Sequence, residues 1–587
     1  MHVLVRIFLI KIVFVYSQSD RFPDCASGPL SKFPICDQTL PSRERAADLI
    51  SRMTIDEKIS QMVTTASAIP RLGLPQYEWW SEALHGLAFS PGVSFNGSIS
   101  AATSFPMPIN FGASFNMRLV HQETVAVALH AGTDLNCGYF YYNYTKQALE
   151  KQTIVEADID RALERTFNIL IRLGWFDPPE QQYYRQLTKD NVDTHEARQL
   201  SLESAQEGIV LLKNMNQSLP LDRNRLLNKR IALIGPTANA TELMQGSYFG
   251  KAPFLIDPVT AIKALTTGKS IDVQFVYGCK INGSDESGFS AAIELARTAD
   301  VVIFFGGLDQ TIESETIDRV SIAMPDIQLA LLQQLERVVQ SPIRVVIMSG
   351  SGLDLTYVRD SPRFGSLIWM GYAGQSGGLA IANVIFGEYN PAGRLPITIY
   401  PASYVDAVSM FDMQMRPSKN NPGRTYKFYT GEAVYEFGTG LSYTTFHYSW
   451  SNDTAQRSYS ISSLIENKND AHRVLIRSFR VNVTNIGTMP GDDVILAFVK
   501  VSNTVIDGPI LPIKQLFGFD RIHLGINETK EVFFPLNVEH LLIVEQDGTK
   551  WLYPGTYNVL IGQQLVYAIE LYGPFIQWQS KRQFSSS

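Results

Sequence analysis

Residues 300–307 read DVVIFFGG. Two valines, an isoleucine and two phenylalanines follow one another with no polar alternation, and a glycine pair ends the run. A short, continuous apolar run bounded by turn residues predicts a strand covered on both faces. RIALIGP (230–236), VQFVYG (273–278), RVVIMSG (344–350) and SLIWMGY (366–372) have the same character. Between them, GFSAAIELARTA (288–299) and SIAMPDIQLALLQQLERVV (321–339, from about Pro325) have helical patterns. Short apolar strands alternating with helices predict an α/β layer domain with a mainly parallel sheet, here at 220–400.

The pattern changes on either side. From about residue 440 the runs SFRVNVTNIG, DDVILAFVKV, KEVFFPLNV and GTYNVLIGQ are β-rich and separated by turn clusters such as NIGTMPGDD and YPG. They predict a sandwich of about seven strands over 441–577, of immunoglobulin or fibronectin type III character, after a linker at 401–440. Upstream, residues 42–63 read as two short helical pieces, with Thr54 and Glu57 at capping-box spacing. Residues 156–174 and 195–213 read as further helices, the latter in a linker segment spanning 181–219. The fold class is therefore multidomain, α/β plus all-β.

The 587-residue chain is 45% hydrophobic and 18% charged, with net charge −7. That is ordinary globular composition, and the absence of any Lys/Arg stripe argues against a nucleic-acid partner. Residues 1–19, MHVLVRIFLIKIVFVYSQS, read as a secretory signal peptide. No later run is apolar for long enough to span a bilayer, so no membrane partner is expected. Sequons at Asn96, Asn143, Asn216, Asn239, Asn282, Asn452, Asn482 and Asn527 fit a secreted, extracellular glycoprotein. Cys25 and Cys36 lie close together in a Pro/Ser/Gly-rich loop and are candidates for a disulfide, while Cys137 and Cys279 are left open as free or paired. The cysteine spacings match no zinc ligand set, and no metal is expected.

Two stretches carry candidate chemistry. QYEWWSEALHG (76–86) gathers aromatic faces, carboxylates and a histidine after a Pro/Gly loop. Indole rings such as Trp80 can pack on the C–H face of a sugar, and a carboxylate such as Glu82 can accept from its hydroxyls. Trp79 and His85 fit a core aromatic and a backbone-bonded histidine better than direct contacts. The second stretch, DQTIESETIDR (309–319), follows the DVVIFFGG strand. Its carboxylates occupy the C-terminal end of a parallel strand, where α/β sheets present reactive groups. An acidic turn paired with Arg319 is the alternative reading.

Four blocks together resemble glycoside hydrolase family 3, in the branch of β-xylosidases and α-arabinofuranosidases. They are IPRLGLPQYEWWSEALHG with AATSFPMPINFGASFN, then GLDQTIESETIDR, then WMGYAGQSGGLAIANVIFGEYNPAGRLPITIYP, and last GRTYKFYTGEAVYEFGTGLSYTTF. With the segments between them they span about residues 36–575. The resemblance implies a TIM-like barrel, an α/β sandwich domain and a fibronectin type III-like domain, in that order. It implies retaining, exo-type hydrolysis that releases xylose or arabinose from xylan-type oligosaccharides, without an organic cofactor. Such chemistry needs two carboxyl groups about 5–5.5 Å apart, one as nucleophile and one as acid/base. The resemblance implies Glu315 as acid/base, with Glu313 as the alternative, and Glu82, Trp80 and His85 as substrate contacts.

The implied nucleophile is missing. The family carries it in a Ser-Asp motif late in the barrel, but the Ser-Asp pairs here are Ser19-Asp20 and Ser284-Asp285, neither in that context. The family's Lys-His substrate motif has no counterpart either. From Ser42 to Pro178 there are about 137 residues, whereas an eight-stranded barrel takes about 250. Residues 20–180 are therefore expected to hold a truncated barrel remnant, with the gap between Val120 and Leu129. Asp134, in AGTDLNCG, is expected to be structural. The alternatives are an inactive, secreted glycan-binding relative, or β-glucosidase-type specificity.

Overall fold

The computed structural model describes residues 22–81, 87–91, 93, 95, 100–104, 133–451, 456–465, 474–504, 510–545 and 547–578. They form two compact units, one within 22–101 and 133–194, the other of 102–104 and 195–578. The expected signal peptide at 1–19 lies outside the described residues.

The smaller unit is built on helices α1 (Ser42–Ser51), α2 (Ile55–Ser60), α3 (Phe140–Glu150) and α4 (Glu156–Arg172). The capping box forms as predicted: Thr54 Oγ1 accepts from the Glu57 amide at 3.3 Å, and Glu57 Oε2 accepts from the Thr54 amide at 2.7 Å. Along α4, Ile159, Leu163, Phe167 and Leu170 recur at helical spacing and bury against Ala46, Leu49 and Ile50 of α1. Cys25 and Cys36 form a disulfide, Cα to Cα 5.4 Å. Cys137 and Cys279 are free, and burial pushes the Cys279 thiol up to about 12. The strands described in this unit, Thr65–Ala66 and Tyr77–Glu78, are two residues each. This is far short of a barrel wall.

The larger unit opens with α5 (His195–Glu207) and strand β1 (Val210–Asn214). The expectation of one helix through residue 213 is corrected here. Gly208 follows the helix, and Ile209 to Leu212 are buried in the sheet core. A short apolar run cannot be told from a buried helical segment by periodicity alone. Five more strands follow: β2 (Lys229–Ile234), β3 (Ile271–Val276), β4 (Val301–Gly307), β5 (Ile343–Met348) and β6 (Phe364–Trp369). Their order across the sheet is β1-β6-β5-β4-β2-β3, with β1 antiparallel to β6 and all other pairs parallel.

Alternate residues of each strand face opposite layers. Val302 and Phe304 pack under α7 (Phe289–Thr298) and α8 (Asp326–Val338), whereas Ile303 and Phe305 pack with α5, α6 (Pro258–Thr266) and α9 (Gly377–Ile385). Helices on both faces explain why the strands lack polar alternation. Residues 401–440, read above as a linker, fold back onto this domain. Ile399 bridges Tyr435, the Leu441 amide donates to the Leu211 carbonyl at 2.8 Å, and Val434 and Tyr435 join the core.

The C-terminal sandwich contains β7 (Phe446–Trp450), β8 (Ser458–Ser460), β9 (Leu475–Asn485), β10 (Gly491–Thr504), β11 (Gln515–Leu524), β12 (Thr529–Asn537), β13 (Gly555–Ile561) and β14 (Leu565–Tyr572). Sheet β12-β9-β7 packs on sheet β8-β14-β13-β10-β11 through Phe479, Val481, Phe534, Tyr557 and Ile569. The Tyr557 hydroxyl donates to the Tyr553 carbonyl at 2.8 Å, a tyrosine corner.

A buried ion pair joins the sandwich to the α/β domain. Arg394 donates to Asp493 Oδ1 at 2.8 Å, with the two side chains 13% and 2% exposed, and the Tyr448 hydroxyl also donates to Asp493. Removing one member of a buried pair strands the other charge in a low dielectric. Arg394→Met is expected to destabilise the protein by about 3–5 kcal/mol in urea denaturation. Lys229→Met, at the exposed pair with Asp300, should cost under about 1 kcal/mol.

Candidate active site

Three loops meet at the C-terminal edge of the parallel sheet, after β4, β5 and β6. The first begins at Gly307, whose φ is +135° and where a Cβ would fall 1.8 Å from the Met348 carbonyl oxygen, so a side chain there is excluded. Gln328 of α8 holds that peptide from both sides: the Gly307 amide donates to its Oε1, and its Nε2 donates to the Gly307 carbonyl, each at 2.8 Å. The chain then turns through Ser314 and Ile317, which bridge one another, with Thr316 at φ 67°. That turn separates the two glutamates that the sequence left as alternatives.

Glu313 points inward. Its Oε1 accepts from the Gly350 amide at 2.6 Å and from the Tyr372 hydroxyl at 2.7 Å. Its Oε2 accepts from the Ser351 hydroxyl and lies 3.8 Å from Arg319. Arg319 in turn donates to Ser351 Oγ at 2.6 Å and to the Gly352 carbonyl at 2.8 Å. The Glu313 and Arg319 side chains are about a tenth exposed. Burial, and then the Glu313 carboxylate, push the Tyr372 hydroxyl far above the usual tyrosine range, so it remains a donor. Burial pulls the Arg319 guanidinium below its ordinary value, opposed by Glu313. Gly350 leaves room for this convergence, since a Cβ there would sit 3.0 Å from the Tyr372 ring.

Glu315, two residues on, is exposed, and among the described residues its carboxyl group makes no hydrogen bond or ion pair. The loop therefore combines a pinned Glu313 with an exposed Glu315 carboxyl that has no partner among the described residues. Gly350, Ser351 and Tyr372 escaped the sequence reading. Their one signal was position, immediately after the apolar strands RVVIM and SLIW.

The other sequence candidates separate clearly. Trp80 is 44% exposed, and its amide donates to Glu78 Oε1 at 2.9 Å. Trp79 packs edge-on against Tyr77, ring centres 4.9 Å apart, with the core of the smaller unit. Glu82 and His85 lie outside the described residues. Asp134 faces Arg165, whose Nε donates to its two oxygens at 2.7 and 2.8 Å, so both are committed to a structural pair. Asp285 sits in an exposed turn, where the Ser287 side chain and amide hold its carboxyl below the usual range. Of the sequons, Asn216, Asn239, Asn282 and Asn527 are exposed outside helices and strands of the hydrogen-bonded core, with Asn216 in a short 3-10 turn. Asn143 lies on α3 and Asn482 is half-buried in β9, while Asn96 and Asn452 lie outside the described residues.

Residues 209–443 match the glycosyl hydrolase family 3 C-terminal domain and 494–564 the fibronectin type III-like domain. A probable exo-1,4-beta-xylosidase, bxlB of Aspergillus fumigatus, is 32% identical to this chain, with 92% of each covered. The chain belongs to glycosyl hydrolase family 3, on its β-xylosidase branch. Exo-1,4-beta-xylosidase xlnD of Emericella nidulans is 30% identical over 94% of this chain and 90% of its own. A solved family 3 exo-beta-xylosidase, XlnD in complex with a xylobiose aziridine activity-based probe, superposes with TM-score 0.85 and 29% identity over 95% of each chain. A Listeria innocua beta-glucosidase, at 23% identity and TM-score 0.61, shares the fold over 76% of this chain and 59% of its own. The bxlB alignment runs over 727 positions against a chain of 587, so at least 140 positions hold no residue of this family 3 member.

The two glutamates should respond differently to truncation. Glu313→Ala removes the acceptor for three donors and leaves Arg319 buried without its carboxylate, a loss of about 3–5 kcal/mol. Glu315→Ala should change stability by less than about 0.5 kcal/mol. Thermal unfolding of the two variants side by side measures the difference.

Proposed function

We propose that this chain carries the proton-transferring half of a retaining, exo-acting β-xylosidase site, with Glu315 as acid/base, and that the 587-residue form lacks the nucleophile needed for turnover. The observation that carries this reading is the Glu315 carboxyl, unengaged among the described residues, on a loop pinned two residues earlier by Glu313. A general acid must reach the leaving oxygen and exchange its proton, which an unengaged carboxyl on a fixed base can do and one saturated by internal donors cannot. The relatives' names as exo-1,4-beta-xylosidases support xylo-oligosaccharides as the substrate class, with release of terminal xylose or arabinose. The protein is proposed to be secreted and N-glycosylated, in keeping with exposed Asn216, Asn239, Asn282 and Asn527 and with the Cys25–Cys36 disulfide.

In the complete site, Glu315 protonates the glycosidic oxygen as the bond to the anomeric carbon breaks and a carboxylate attacks from the opposite face. Glu315 then takes a proton from the water that releases the sugar. The missing partner is the second carboxylate. Its absence is supported by the 140 or more unfilled positions and by the two-residue strands of the smaller unit. Asp134 is no substitute, because an error of about 1 Å in placing a reacting group can cost ~100-fold in rate. For the 587-residue form itself, those unfilled positions favour sugar binding without hydrolysis.

The purified 587-residue protein is expected to show no turnover of aryl β-xyloside, arabinofuranoside or β-glucoside. Turnover that is lost in Glu315→Gln would overturn the missing nucleophile while keeping the acid/base. Sequencing transcripts and genomic DNA across Val120 to Leu129 is expected to find a longer form with the intervening segment. In that form Glu315→Gln should lower kcat by about 10²–10⁴-fold on aryl xylosides with poor leaving groups.

A further inference from the structure

Away from the strand-end loops, a cavity of about 700 Å³ lies between residues 436–445 of the α/β domain's tail and strands β7, β10, β13 and β14 of the sandwich. Ligand sites typically occupy roughly 300–1,000 Å³. The charges that line this cavity are already matched. Arg394 is paired with Asp493 at 2.8 Å, and Lys514 with Glu436 at 3.1 Å. The Lys514 ammonium also lies 5.0 Å above the centre of the Phe498 ring. An ionic ligand would find no unpaired charge of opposite sign here.

The uncommitted groups are neutral. The hydroxyls of Thr439 and Thr445 and the amide of Gln563 line the cavity and have no partner among the described residues. Leu441 and Val566, 43% and 61% exposed, supply aliphatic surface on its lining. The wall is built before any ligand arrives: Gln564 accepts from the Tyr448 amide at 3.1 Å and donates to the Phe446 carbonyl at 2.9 Å. Hydroxyl and amide groups beside apolar faces complement a sugar, whose ring carries hydroxyls at its edge and C–H bonds on its faces.

We infer that this cavity binds a neutral oligosaccharide at a site separate from the catalytic loops. It stands independently of the assignment of Glu315, because none of its lining comes from residues 309–325. The probe is xylotetraose, titrated calorimetrically into the 587-residue protein and into its variants. Thr439→Val with Gln563→Ala is expected to weaken binding at least tenfold, and the surface change Val566→Asp should weaken it independently without touching the core. Glu315→Gln should leave the affinity for this site unchanged. Xylotetraose bearing a uronate should bind no more tightly than the neutral tetrasaccharide. Absence of binding, binding indifferent to both cavity variants, or binding lost in Glu315→Gln would each overturn the proposal. Turnover assays report separately on the catalytic reading, so the two can fail independently.

Discussion

The carboxylate of Glu313 ties together three loops that leave the same edge of one sheet. A main-chain amide, a tyrosine hydroxyl and a serine hydroxyl converge on its two oxygens, and Arg319 stands behind them. Hydrogen bonds to a charged acceptor contribute about 1.5–3 kcal/mol each when net of water. They oppose the cost of burying the Arg319 guanidinium. The site depends on this knot because the loop after β4 has no secondary structure of its own to fix it. Gln328 clamps its start and Glu313 its middle, and only then does the turn through Thr316 hold Glu315 in one place.

The sandwich is joined to the α/β domain by a second set of buried charges. Arg521 on β11 meets Asp492 at 2.6 Å and Glu207 of α5 at 3.2 Å, while Arg394 reaches Asp493 from the other side. Adjacent aspartates on β10 thus bind arginines of different origin. Their neighbours feel the same environment: burial, ahead of every other influence, pushes the Glu207 carboxyl and the Tyr389 hydroxyl upward. Such a junction holds the domains in one orientation and makes the sandwich part of the hydrolase fold rather than an appendage.

The parallel strands were legible because burial on both faces writes itself into consecutive apolar residues. DVVIFFGG and RVVIMSG also end in glycine turns and alternate with helical patterns, which settles what their lack of a period leaves open. The edge strand GIVLLKN was misread as helix because its partner lies far along the chain and its own five residues carry no period. The stretch at 401–440 lacked strong runs and read as spacer, yet it is held by isolated bridges that leave no local pattern. Glu313 and Glu315 are alike in sequence; burial and donors distinguish them, and those donors include Gly350 and Tyr372, 35 and 57 residues after Glu315. The proposed lack of a nucleophile is the reverse case, resting on a sequence motif without a counterpart and on a length short of a full barrel.

The position of β1 also sets an order of events. It forms the sheet edge beside β6, which begins about 150 residues later. At roughly 5–20 residues per second, synthesis leaves β1 without its partner for on the order of 8–30 s. Ile209, Val210 and Leu211, fully buried once folded, spend that interval as an unpaired apolar edge on a nascent chain. Strands β2 to β5 can assemble in the meantime, but β1 must wait for β6. This makes the sheet's closing step a demand on the chaperones of the compartment where the chain is made, and a truncation before residue 369 would leave that edge permanently open.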